Sequence, residues 1–190
     1  MSSTNNAQNV TAGKPNTGGA VYVAPLGTTL PTTANGSLNA SFKGLGYISD
    51  AGVTNSNSPS STSIKSWGGD VVLDVQTEKP DTFKMMFLEA TNEEVLKLVF
   101  GADNVSGSLA SGLTIEANST EQVSKSMVID MLYKDGVIKR VVLPNCKVTS
   151  VADVTYSDSA AVGYDVTLSC YPDTDGNTHY EYILQTSPTL

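Results

Sequence analysis

The sequence predicts a mainly β protein: an antiparallel β-sandwich or barrel with one short flanking α-helix, a long loop and a flexible N-terminal arm. Three observations carry that expectation. Short runs in which apolar and polar residues alternate recur along the chain, bounded by Gly, Pro, Asn and Asp. Only "NEEVLKLVF", residues 92–100, has its apolar residues at helical spacing. The chain is 39% hydrophobic and 16% charged and holds 16 Gly, the balance of a folded, turn-rich protein rather than a disordered one. With 190 residues it can bury a core without disulfides or metal, and one domain is the expected organisation.

Residues 1–19 are polar and Gly-rich and read as the arm, loose in the isolated chain. The folded domain, residues 20–190, opens with "AVYVAPLG", a strand that Pro25 stops. Short extended pieces and turns follow, with corners at Asn35-Gly36 and Ala51-Gly52. Residues 54–66, "TNSNSPSSTSIKS", are a polar loop that cannot build a core of its own. Beyond Trp67-Gly68-Gly69 the pattern turns strongly β. "DVVLDVQTEK" and "TFKMMFLEA" flank Pro80-Asp81 and read as a hairpin. In the first, Val71, Leu73 and Val75 share one face, with Asp70, Val72, Asp74 and Gln76 on the other. In the second, Phe83, Met85 and Phe87 oppose Thr82, Lys84, Met86 and Leu88.

Thr91 with Glu94 reads as a capping box for the helix, Val95, Leu96, Val99 and Phe100 as its apolar stripe, and Gly101 as its stop. Glu93 and Lys97 fit one exposed face. "SMVIDMLYK" and "VIKRVVLP" form a hairpin about Asp135-Gly136, a pair suited to a type I′ turn. "NCKVTSVADVTYS" and "VGYDVTLSCYPD" supply two more strands, joined near residues 157–161, and "THYEYIL" a last one.

Eleven Lys and Arg stand against 19 Asp and Glu, a net charge of −8. That argues against a protein that grips nucleic acid, since such binding needs cations to replace counterions along the phosphates. Cys146 and Cys170 lack a CxxC or His-rich context and read as two buried thiols, not as a zinc site or a disulfide framework. No secretory signal is visible at the N-terminus, and no apolar run approaches membrane-spanning length.

No catalytic, cofactor-binding or metal site is expected. His179, the sole histidine, alternates with Tyr180 and Tyr182 and reads as a half-exposed strand residue; a catalytic role would need partners that no motif supplies. "DTDGN", residues 173–177, starts like a calcium loop but lacks the later ligands and reads as a hairpin turn. Asp70 with Asp74, and Glu93 with Glu94, are explained by solvated faces as well as by paired catalytic carboxylates. The glycines fit no nucleotide-binding loop, and Met85, Met86, Met127 and Met131 read as core fillers.

The order of "GAVYVAPLGTTLPT", "FKGLGYISDAGVT", the polar loop, "IKSWGGDVV" and "TFKMMFLEATNEEVLKLVFG", spanning residues 19–101, resembles the major tail (tail tube) proteins of long-tailed, siphophage-type bacteriophages. The second half matches in style only. The resemblance implies a structural virion protein, not an enzyme, whose subunits close into hexameric rings. Stacked rings form the tube through which DNA leaves the virion without being specifically bound. It also implies assembly in the bacterial host cytoplasm, a tape measure protein and a tail terminator as partners, no cofactor and no membrane. On that reading the arm and the loop become ordered on stacking, which makes Asn55, Ser58, Pro59, Ser63, Ile64, Lys65, Trp67, Gly68 and Gly69 the assembly residues. Trp67-Gly68-Gly69 would hinge the loop against the sandwich, with the indole anchoring the start of a strand; the plain alternative is a core tryptophan beside an ordinary turn.

Charge supplies a mechanism for such a tube. Carboxylates along a bore repel phosphate over roughly 8 Å at physiological salt, so DNA slides instead of adsorbing. Asp70, Asp74 and Glu78 are the expected lining. The rival readings are another ring-forming component, a tail terminator or an Hcp-like protein, and a carbohydrate-binding β-sandwich, against which the single Trp and 7% aromatic content weigh.

Overall fold

The computed structural model describes residues 5–16 and 18–186. Of the expected arm, residues 1–4 and 17 therefore lie outside the described residues. In chain order the strands are β1 (Lys14–Pro15), β2 (Val21–Pro25), β3 (Lys43–Gly44), β4 (Ile48–Asn57), β5 (Ser60–Lys65), β6 (Val71–Glu78) and β7 (Asp81–Phe87). Helix α1 (Glu93–Phe100) follows. The remaining strands are β8 (Val105–Ser108), β9 (Gly112–Ile115), β10 (Lys125–Leu132), β11 (Val137–Val151), β12 (Tyr164–Cys170) and β13 (Tyr180–Gln185).

The fold is mainly β, with antiparallel sheets and one α-helix, consistent with the sandwich expected. The main sheet runs β3-β2-β10-β11-β12-β7-β4, with β1 beside β10 and β13 beside β11. Strand β11 organises it. Its first half, Val137–Val142, lies between β10 and β13, and its end, from Cys146 to Val151, pairs with β12. The two strands expected on either side of Pro144 are thus one 15-residue strand. Among the described residues no helix is long and apolar enough to cross a membrane.

Alternation explains the core. Phe83, Met85 and Phe87 on β7, Met127 and Ile129 on β10, Val141 and Leu143 on β11, and Val166 and Leu168 on β12 join one cluster. Helix α1 adds Val95, Leu96, Leu98 and Val99. Burying such side chains stabilises by roughly 1.5–3 kcal/mol each. The opposite face of β2, β10 and β11 is covered by the segment before β3, where Phe42 packs on Ala24, Val128 and Val142. Arg140 fixes this cover. Its guanidinium holds Asp130 in two hydrogen bonds, 2.7 and 2.8 Å, and donates to the carbonyls of Thr33 and Gly36.

Local signals fare unevenly. Asp135 (φ 59°) and Gly136 (φ 74°) both adopt the left-handed conformation that a type I′ turn requires, and β10 pairs with β11 across them. Gly101 ends α1 as expected. The cap is not Thr91, however: Asn92 precedes the first turn and its Oδ1 accepts from the Glu94 amide at 3.0 Å. Gly52 does not turn a corner either. It sits inside β4 at φ 71°, where the register with β7 shifts and the backbone needs a residue without a Cβ.

The hairpin expected between β6 and β7 is absent. Strand β6 pairs with β5, whereas β7 lies between β12 and β4. Residues 54–66 accordingly are not a loop: residues 54–57 complete β4 and Ser60–Lys65 form β5. Strands β4 and β5 run out and β6 and β7 run back, as one long hairpin, with Asn57 opposite Asp81 and Ser60 opposite Glu78.

Candidate functional site

The outer half of that long hairpin is the feature that sets this molecule apart from a closed β domain. Every residue of β5 and β6 is exposed. The eight residues of β6 span roughly 26 Å at the usual rise per strand residue. Among the described residues the second sheet these strands form contains no third strand, and a free two-stranded hairpin is only marginally stable in water. Something else must stabilise it or use it.

Cross-strand register gives the ribbon two different faces. Ile64 lies opposite Leu73 and Thr62 opposite Val75, which places an apolar set on one side. Ser63 lies opposite Asp74 on the other side, and both Ser61 and Ser63 direct their hydroxyls at the Asp74 carboxylate. Register shifts between Ser60 and Ser61 and between Ile64 and Lys65 interrupt the alternation near the two ends. Leu73 retains 52% of its area exposed, Val71 58% and Val72 63%. Contiguous exposed apolar side chains of this kind mark surfaces that meet another protein.

The tip is a tight turn closed by the Ser66 amide on the Asp70 carbonyl, 2.8 Å, and by the Gly69 amide on the Ser66 carbonyl, 2.9 Å. Gly69, at φ 92°, supplies the left-handed residue. Trp67 stands at this tip, fully exposed at 106%. Both expectations for it are overturned: it neither anchors a strand nor enters a core, because the turn lies at the far end of the ribbon, away from the body. Trp67-Gly68-Gly69 is the ribbon's tip and not a hinge. Asp70 belongs to the same turn, so of the expected lining residues only Asp74 and Glu78 lie on β6.

At the root, Ser58-Pro59 interrupts the outgoing strand and Lys79-Pro80 the returning one. Proline offers no N–H, so the ladder loses rungs at this level. Immediately below is a compact polar cluster. The Asp81 carboxylate, almost wholly buried, accepts from Asn55 Nδ2 at 2.8 Å, Thr178 Oγ1 at 2.6 Å and His179 Nδ1 at 2.5 Å. Burial opposes the charge, but these hydrogen bonds outweigh it and hold the Asp81 pKa below the usual carboxylate value. An ionised carboxylate only accepts, which fixes the proton on Nδ1 of His179. The ring also meets Phe83 edge-on. Asn55, one of the expected assembly residues, thus belongs to a fastening between the ribbon's root and the segment before β13.

The other sites weighed from sequence resolve locally. Asp173 is satisfied within its own turn, accepting from the amides of Asp175 and Asn177 and from the Tyr180 hydroxyl. Cys146 and Cys170 are direct cross-strand partners, both buried and unbridged. Burial pushes the Cys170 thiol up to about 12, with the Asp81 charge adding to it. Glu93 and Glu94 both pair with Lys97, at 3.7 and 3.2 Å.

A mainly antiparallel β body, closed by one helix and extending a bare ribbon with an apolar face, fits the class of structural proteins. The family comparison agrees with that class. The chain belongs to the phage tail tube protein family, whose model matches residues 2–189, essentially its whole length. It is therefore a structural component of a phage tail and so of the virion; the family is not an enzyme class, and membership implies self-assembly into a tube. No curated protein matches the chain.

Proposed function

We propose that the protein polymerises as hexameric rings stacked into the tube of a long, siphophage-type tail, a negatively charged conduit for DNA delivery, and that the β5–β6 ribbon is its main assembly element. The observation that carries this reading is the ribbon's bareness. Ile64, Leu73 and Val75 are apolar and exposed, on a two-stranded element that no other strand among the described residues covers. Packing that face on a neighbouring copy removes it from water at about 25 cal/mol per Å2, and pairing the ribbon's open edges across subunits protects them from uncontrolled association.

The opposite face, with Asp74 between Ser61 and Ser63, then turns toward the bore, with Glu78 at the ribbon's root. Both carboxylates that the strand carries are exposed, as a repulsive lining requires. The arm contributes to stacking, beginning from Lys14–Pro15, which already adds to β10 at Leu132 and Met131. A tape measure protein and a tail terminator act with the tube, assembly takes place in the host cytoplasm, and we assign the protein no catalytic activity.

Electron microscopy of the purified protein over a range of concentrations tests the reading. The intact chain is expected to give long tubes of stacked six-fold rings. A variant in which a short Gly-Ser turn replaces residues 58–80 is expected to stay a folded monomer. Isolated rings from the intact chain would indicate a terminator-like role instead, and tubes from the shortened chain would remove the ribbon from assembly.

A further inference from the structure

We infer that the tip of the ribbon, Trp67 with Asp70, seats in a cleft between helix α1 and strand β2 of another copy of this chain. The inference rests on the self-assembly just proposed and names the surface that receives the ribbon. Two features that the fold leaves unexplained become complementary on this view.

The first is the tip itself. The chain's only tryptophan is fully exposed on the farthest turn of a ribbon whose two strands are exposed along their whole length. An indole buries roughly 150–250 Å2 when it is covered, so leaving it in water forgoes a large apolar burial. Asp70 lies three residues on, in the same turn.

The second is the cleft. It has a volume of about 450 Å3 and an apolar floor that includes Val23, Pro25 and Leu98. Lys43, Lys97 and Lys125 stand along it, three of the eleven cationic residues of a chain with net charge −8. Lys97 is engaged by Glu93 and Glu94. Lys43 reaches only the Ala40 carbonyl, at 3.3 Å, and among the described residues neither Lys43 nor Lys125 has a carboxylate within ion-pair distance. In an acidic protein, two ammonium groups that no carboxylate pairs, beside an apolar cleft, fit an occupant that is aromatic and carries a carboxylate.

The tip has that composition. The indole fills the apolar floor, an ammonium group can lie over its face, which is the most favourable aromatic partner for a cation, and Asp70 reaches Lys43 or Lys125. A large aromatic anchor in a pocket with a charged rim is the usual form of a binding hot spot.

Because Trp67 is the chain's only indole, its fluorescence reports the tip directly. Tubes of the intact protein, compared with dilute monomer, are expected to show blue-shifted emission and reduced quenching by acrylamide. The double variant Lys43→Glu/Lys125→Glu changes exposed and half-exposed side chains, so its monomer should unfold at the same midpoint as the parent. It is expected to need a roughly tenfold or higher protein concentration for tubes to appear. Adding Asp70→Lys to the same chain should restore much of that loss by reversing the pair.

Tubes in which Trp67 remains fully quenched would overturn this inference and leave the assembly reading intact. So would a buried Trp67 in tubes that the lysine variant forms as readily as the parent, since the indole would then be seated elsewhere. Absence of tubes at every concentration would overturn the assembly reading and this inference with it.

Discussion

Strands β6 and β7 follow one another with only Lys79 and Pro80 between them, and both alternate apolar with polar residues. On β7 the alternation becomes burial: Phe83, Met85 and Phe87 vanish into the core while Lys84 stays in water. On β6, Val71, Leu73 and Val75 stay 43–58% exposed. The difference is neighbours. Strand β7 has β4 on one side, β12 on the other and α1 contributing to the same cluster, whereas β6 has only β5. Alternation therefore specifies a strand with two unlike faces and says nothing about what covers either one. Where the chain supplies the cover, the result is a core; where it does not, the apolar side chains stay in water.

That contrast can be pressed with paired substitutions. The largest effect belongs to charge. Arg140→Leu strands Asp130 in a nearly buried site, and replacing one partner of such a pair costs about 3–5 kcal/mol. Asp74→Asn on the ribbon should stay within about 0.5 kcal/mol in the monomer. Chemical denaturation of both variants measures the gap, and an Arg140 variant as stable as the parent would break the distinction.

Leucine gives the next comparison. Leu168→Ala removes a side chain with no exposure and should cost about 2–5 kcal/mol. Leu73→Ala should leave the monomer's unfolding midpoint unchanged and weaken tube formation instead. If Leu73→Ala destabilised the monomer as much, the ribbon would have to fold back on the body in solution.

The smallest effect lies at the boundary between the two regions. Asp81 is held below its ordinary pKa of 3.8 in the folded protein, so the stabilisation it brings is complete above that value and is lost as pH falls through the depressed one. Asp81→Asn should therefore cost about 1–3 kcal/mol at neutral pH, through donors left unsatisfied, and flatten the acid limb of stability. Unfolding followed at neutral and acidic pH checks both; an acid limb unchanged by the substitution would assign it to other carboxylates.

Much of the body was legible because its signals are local and its apolar content is high. Asp135-Gly136 forces a turn by its own conformational preference, Gly101 stops α1, and the β7 pattern of Phe83, Met85 and Phe87 announces a buried face. The ribbon was less legible. Strand β5 offers one apolar side chain, Ile64, among Ser, Thr and Lys, so its strand character comes from pairing with β6 rather than from its own residues. Pro80-Asp81 resembled a turn for the same reason: nothing nearby reveals that Asp81 is claimed by Thr178 and His179, 97 and 98 residues downstream. The position of Trp67 follows from those two readings, because an indole taken to start a strand is instead the end of an arm. A pair of prolines bracketing an alternating run, Pro59 and Pro80, was the available sign that the pairing changes partners.

Those two imino acids also have a mechanical meaning. A ladder that lacks rungs at one level can change its angle there without breaking a hydrogen bond in either half, which makes the Pro59–Pro80 level the place where the limb can turn against the trunk. In a filament held together by such limbs, curvature would be taken up joint by joint, each copy pivoting slightly while its grip on the next is kept. Bending compliance would then be encoded in two residues per copy.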